Sequence, residues 1–150
     1  MNLRSLTMVG AMLLLAACAT GQSSSTTSGN AAPGSREDFV QNVGDRVFFD
    51  FDKSDIKPEG QQTLQRQATW LKKYASVKVT VEGHCDDRGT REYNLALGNR
   101  RADAVKRALI ALGIDSGRIT TISYGKERPA VVGDNEEAWA QNRRGVTVIN

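Results

Sequence analysis

The pattern of apolar and polar positions changes character twice along the chain. Met8–Ala17 is an unbroken apolar stretch of ten residues, residues 19–35 contain nothing apolar larger than alanine, and from Arg36 onward apolar and charged positions interleave. Only the last region carries the periodicities of packed secondary structure. Val47, Phe49 and Phe51 alternate with Arg46, Phe48, Asp50 and Asp52, and this predicts a first strand with an aromatic face. Val77, Val79 and Val81 alternate with Lys78, Thr80 and Glu82 as a second, half-buried strand. Between them Pro58 opens a helix in which Leu64, Ala68 and Leu71 recur on one face. A second helix is predicted from Thr90, its N-cap, with Glu92 in the first turn. It turns Leu97, Val105, Leu109 and Leu112 inward and stops at Gly113. Strands at about 118–124 and 145–149 complete the order β-α-β-α-β-β. The expected class is α+β, with two main helices packed on one mixed sheet.

Charge sharpens the boundaries. Of 20 basic and 17 acidic residues, none falls between Arg4 and Arg36. The apolar run behind the basic start is about half the roughly 20 residues a spanning helix needs, so it reads as a cleaved export signal, residues 1–17. Leu15-Ala16-Ala17-Cys18 resembles a bacterial lipobox. That resemblance implies cleavage before Cys18, a diacylglycerol thioether on its sulfur and an N-acyl chain on the new amino terminus. One acyl chain anchors only marginally, and several hold firmly. Ala19, rather than an aspartate, follows the cysteine, which resembles the pattern of lipoproteins sent to the outer membrane. Residues 18–35 are then a lipidated cysteine and a flexible Ser/Thr/Gly linker, able to reach roughly 55–60 Å when extended. Residues 36–150 form the folded module. Loss of Arg4 leaves 19 basic against 17 acidic residues, a balance too even to argue for nucleic acid.

One residue breaks the apolar pattern of the second helix. Arg101 lies four after Leu97 and four before Val105, on their apolar face, where an unpaired guanidinium is costly. Asn94 lies two turns back on the same stripe. The loop His84-Cys85-Asp86-Asp87-Arg88-Gly89 joins the second strand to this helix, a place where open sheets tend to bind ligands. Asp86 or Asp87 is expected either to pair with Arg101 structurally, or to face with it a ligand of opposite charges. His84-Cys85-Asp86 is not expected to bind metal, because three consecutive residues rarely converge on one ion and lack zinc-site spacing. Cys85 reads as a small buried hydrophobe. An enzyme would need an acid/base pair or nucleophile, and the single histidine, His84, has no identifiable partner.

Val79-Thr80-Val81-Glu82-Gly83-His84-Cys85-Asp86-Asp87-Arg88-Gly89-Thr90, with Asn94, Leu97, Gly98, Arg101, Ala102 and Val105 behind it, closely resembles the core of the OmpA-like peptidoglycan-binding domain family. Phe49–Lys53, Ser123–Pro129 and Asn142-Arg143-Arg144 also match, so the resemblance spans about residues 46–149. It departs at Cys85, where many members carry Ala or Thr, and at Gly98, where porin-type members carry serine. The resemblance implies an OmpA-like sandwich and a non-enzymatic grip on the meso-diaminopimelate of the wall's peptide stem. By position, Asp86 matches the aspartate that holds the ligand's ammonium and Arg101 the arginine that holds its carboxylate. Asp52 matches another ligand-contacting aspartate, and Asn94 a polar lining residue. No cofactor is implied beyond the lipid on Cys18. The lipoprotein members further imply an outer-membrane protein facing the periplasm, with TolB and the Tol complex proteins as partners during envelope constriction. An adaptor in which TolB binding dominates is the alternative, and a cell-wall hydrolase the remote one.

Overall fold

A computed structural model describes residues 31–150; the expected signal, Cys18 and most of the linker lie outside the described residues. A short helix α1 (Arg36–Asp38) runs into a π-helical turn, Phe39–Val43. Then follow β1 (Arg46–Phe48), α2 (Pro58–Lys73), β2 (Val79–His84), α3 (Arg91–Ala111), β3 (Ile119–Gly125), α4 (Glu136–Asn142) and β4 (Arg144–Ile149). The six predicted elements occur in the predicted order, and α1 and α4 are additions to it. Strands lie in the order β1-β4-β2-β3. β2 and β3 run parallel, joined by the α3 crossover, and β4 inserts antiparallel between β1 and β2.

The helices follow from their sequences. Pro58 occupies the first turn of α2, where a missing N–H costs nothing, and Lys72 and Lys73 face the negative end of its dipole. Leu64, Ala68 and Leu71 are buried on one stripe. Gln67 joins them with its polar atoms satisfied, Nε2 on the Gly44 carbonyl and Oε1 accepting from Thr147 Oγ1. Thr90 caps α3 by accepting from the Tyr93 N–H at 3.2 Å. At the other end Gly113, with φ +96°, donates to the Ile110 carbonyl while Ile114 donates to Leu109. That pair of bonds is a Schellman ending, and a left-handed residue there favours glycine.

β1 is shorter than the alternation predicts. It leaves the ladder after Phe48, the Phe49 N–H bonds the Arg143 carbonyl at 2.9 Å, and the chain turns between Asp50 and Lys53. Phe49 stays in the core, whereas Phe51 is 57% exposed. β2 begins at Val79 rather than Val77, because the Val77 carbonyl is taken by Arg118 Nε.

α2 and α3 cover one face of the sheet over a core that includes Val47, Val79, Val81, Val105, Leu109 and Ile149. α3 approaches unusually closely. A Cβ on Gly83 would sit 1.8 Å from the Gly98 carbonyl oxygen, so β2 and α3 touch backbone to backbone at this point. Ser123 Oγ tightens the same contact by donating to the Leu95 carbonyl at 2.7 Å. The start of the module is fixed at the far end of the sheet. There Arg36 Nη2 donates to the Ile149 carbonyl at 2.7 Å, and Phe39 packs edge-on against Trp70. β4 therefore has α1 at its C-terminal end and, at Arg144, the loops described next.

Candidate functional site

The close approach of α3 to β2 brings the N-terminal turns of α3 against the loop after β2. The turn after β1 closes the third side. Together they surround a cleft of about 390 Å³ lined by Phe51, Asp52, Cys85, Asp86, Arg88, Thr90, Tyr93, Asn94, Leu97 and Arg101, among others. All four residues singled out from the sequence, Asp52, Asp86, Asn94 and Arg101, line this one cleft.

Arg101 is fully buried, yet neither aspartate pairs with it. Its Nε donates to the Lys53 carbonyl at 2.8 Å, Nη1 to His84 at 2.9 Å and Nη2 to Asp50 at 3.0 Å. The expected Asp86–Arg101 or Asp87–Arg101 ion pair is thus replaced by three backbone carbonyls. The early turn out of β1 is the reason: it supplies two of them. Carbonyl dipoles satisfy the fork's geometry but not its charge, and each of Nη1 and Nη2 spends only one N–H on a carbonyl. The result is a rigid cation in the wall of a cleft.

Asp86 is 4% exposed and its charge is met elsewhere. Arg88 grips it with two side-chain bonds, Nε to Oδ1 at 3.2 Å and Nη2 to Oδ2 at 2.8 Å, and the Arg88 N–H adds a third. Arg143 Nη1 lies 3.5 Å from Oδ2. Burial opposes ionisation, but the hydrogen bonds from Arg88 and the charges of Arg88 and Arg143 outweigh it and hold the carboxyl below its ordinary pKa. Asp87 faces away and accepts from Trp139 Nε1 at 2.7 Å.

The other two residues shape the cleft. Asn94 Nδ2 donates to the carbonyls of Arg88 and Thr90, at 2.8 and 2.9 Å, and so ties the loop to α3. Asp52 has φ +58°, a left-handed conformation that aspartate tolerates better than most residues. The Tyr93 hydroxyl donates to its Oδ1 across the cleft mouth, latching the β1 turn to α3.

Sequence reasoning missed the aromatic and cationic rim. The Arg88 guanidinium lies between the Phe51 ring, 4.0 Å away, and the Trp139 ring, 3.9 Å away. These three residues come from three separate segments, so no local spacing relates them. Trp139 sits on α4, whose signal was present in Asn135 followed by Glu136 and Glu137: Asn135 caps it by accepting from the Ala138 N–H at 2.9 Å.

Cys85 is buried at the base of the cleft, as expected, and its Sγ donates to the Asn94 carbonyl at 3.3 Å. Burial pushes its thiol up to about 11, against the pull of Arg101. The thiolate is the reactive form, so in a Cys18→Ser chain at pH 8 Cys85 should label with a disulfide reagent at least tenfold more slowly when native than in denaturant. Equal rates would show that the loop opens freely. Among the described residues no group of His, Cys, Asp and Glu forms a metal cluster, and no helix is long and apolar enough to cross a membrane.

A two-layer α+β module with a charged cleft at one end of its sheet is a ligand-binding domain. Residues 48–143 match the OmpA family. The chain is 58% identical over 121 residues to the peptidoglycan-associated lipoprotein of Agrobacterium fabrum, covering 81% of this chain and 68% of that one. It is 44% identical to the peptidoglycan-associated lipoprotein of Haemophilus influenzae, over 95% of both. The crystal structure of the peptidoglycan-associated lipoprotein from Burkholderia pseudomallei superposes with a TM-score of 0.72 at 39% identity, covering 77% of this chain and all of that one. The chain belongs to the OmpA family and, within it, to the peptidoglycan-associated lipoproteins.

Proposed function

We propose that residues 36–150 bind peptidoglycan without cleaving it, by gripping the meso-diaminopimelate side chain of the peptide stem. This side chain ends in an ammonium and a carboxylate on one carbon. The observation that carries the reading is a fully buried arginine in the wall of a cleft, held by three backbone carbonyls and no carboxylate, with a buried aspartate lining the same cleft. Arg101 offers its two remaining N–H groups to the carboxylate, a planar match that a lysine lacks. Asp86 receives the ammonium, Asp52 contacts the ligand from the cleft mouth, and Asn94 keeps the walls in register. The names of the relatives support the same ligand class.

The rest of the molecule extends this reading. Residues 1–17 are a cleaved signal, Cys18 carries diacylglycerol and an N-acyl chain, and residues 18–35 are the linker between an outer membrane and a periplasmic domain. The protein then ties membrane to wall. TolB and the Tol complex are its proteinaceous partners, and the exposed Phe51 and Tyr93 beside the cleft give TolB a surface that overlaps the ligand's.

Calorimetric titration of the full chain in detergent with a diaminopimelate stem peptide tests the reading. A lysine stem peptide, lacking the second carboxylate, is the control and should bind more weakly. Asp86→Asn should weaken diaminopimelate binding by about tenfold or more, the usual scale of a charge-assisted bond. Unchanged affinity in that variant would move the ammonium site to Asp52 or Asp87.

A further inference from the structure

The carboxylate assigned to the ligand's ammonium is already taken. Arg88 engages both oxygens of Asp86, so an incoming ammonium meets a filled ion pair. Arg88 can slide off Asp86 within its own plane but has little freedom to leave the cleft, because that plane is clamped between Phe51 and Trp139 and Trp139 is itself pinned to Asp87. Beside it Arg143 Nη1 is buried without a hydrogen-bond partner, 3.5 Å from Asp86 Oδ2. Asp86 thus has a second, incompletely made cationic contact ready to close when the first is given up.

We propose that Arg88 is a built-in counter-ion which the ligand's ammonium displaces from Asp86, and that this exchange makes Arg88 the residue that selects an ammonium paired with a carboxylate over an ammonium alone. The inference rests on the wall-binding reading above. Once displaced, Arg88 stays in its aromatic slot and so remains in the cleft with Arg101, while Arg143 lies buried on Asp86. A zwitterionic end adds no net charge to that group and places a carboxylate beside the two guanidiniums that line the cleft, Arg88 and Arg101. A lysine-type end adds a further positive charge and nothing to offset it. The slot matters as much as the charge: a guanidinium free to swing into water would be screened and would discriminate little.

The experiment compares the affinity ratio for the diaminopimelate and lysine stem peptides in the wild-type full chain, in Arg88→Gln and in Trp139→Leu. Arg88→Gln should narrow the ratio by about two- to fivefold, the scale of a partly exposed ion pair, chiefly through tighter binding of the lysine peptide. Trp139→Leu keeps the charge but opens the slot, and should narrow the ratio in the same direction by less. A ratio unchanged or widened in Arg88→Gln would overturn the proposal, as would a selective loss of diaminopimelate binding, which would make Arg88 a direct ligand contact. Thermal melts of the variants show that they are folded. If the wild-type chain bound neither peptide, the wall-binding reading would fall and this inference with it. Wild-type binding with an unmoved ratio removes this inference alone.

Discussion

Gly83→Ala should destabilise the domain by about 3 kcal/mol or more, at the upper end of what overpacking costs. The added Cβ would lie 1.8 Å from the Gly98 carbonyl oxygen and 2.5 Å from its carbonyl carbon. These are backbone atoms in the middle of a 21-residue helix, so no side chain can rotate out of the way. α3 must move off the sheet as a body, and it carries Arg101, Asn94 and Tyr93 with it. For a domain of this size such a loss corresponds to a melting temperature lower by about 10–20 °C. A melt followed by circular dichroism checks it, and a fall of only a few degrees would mean that the two backbones are not in contact. Alanine at Gly98 is the milder change: its Cβ clashes with the Ser123 hydroxyl, which can turn by giving up its bond to Leu95, and approaches the Gly83 carbonyl oxygen only to 3.0 Å.

Arg101→Lys should cost both stability and binding. A lysine ammonium cannot span carbonyls from Asp50, Lys53 and His84, which the guanidinium reaches with three different nitrogens. Carbonyls left unpaired in a buried site cost about 1–3 kcal/mol each, so a lysine that still reaches one of the three should cost the domain about 2–6 kcal/mol. The turn after β1, freed from the arginine, would also let Asp52 and Phe51 drift from the cleft mouth. Co-sedimentation with diaminopimelate-type sacculi should fall by at least tenfold, since the fork is lost and its surroundings loosen together. Wild-type pelleting in this variant would show that the carboxylate is held elsewhere.

These two residues show what the sequence makes legible. Arg101 stands out because a charge on an apolar helical stripe is rare, and its place in the cleft follows from the loop that precedes its helix. Its partners do not follow. A buried cation calls for an opposite charge, which the sequence offers at Asp86 and Asp87, whereas the fold answers with the His84 carbonyl and two carbonyls from a turn about fifty residues upstream. That turn was hidden because Val47, Phe49 and Phe51 keep strand alternation after the strand has ended. Phe49 still faces the core, so the period survives, but Phe51 caps Arg88 instead of joining a sheet face. Long elements were readable for the opposite reason. Thr90, Gly113 and the Leu97–Val105–Leu109 stripe all state the same helix locally, and propensity, cap and packing agree. Helix α4 has only seven residues, too few for a stripe, and its cap residue alone did not reveal it. The Phe51–Arg88–Trp139 stack depends wholly on tertiary assembly.

The position of α1 has a mechanical consequence. Arg36 joins the chain to the Ile149 end of β4, while Arg144 at the opposite end borders the cleft loops, five residues or about 17 Å away along the strand. β1 runs from the α1 end toward the cleft, antiparallel to β4. Tension between the proposed anchor upstream of Arg36 and the ligand proposed for Asp86 and Arg101 would therefore act along the strands. In that direction the β1–β4 and β4–β2 ladders are loaded in shear, with their hydrogen bonds sharing the force, instead of being peeled apart one at a time.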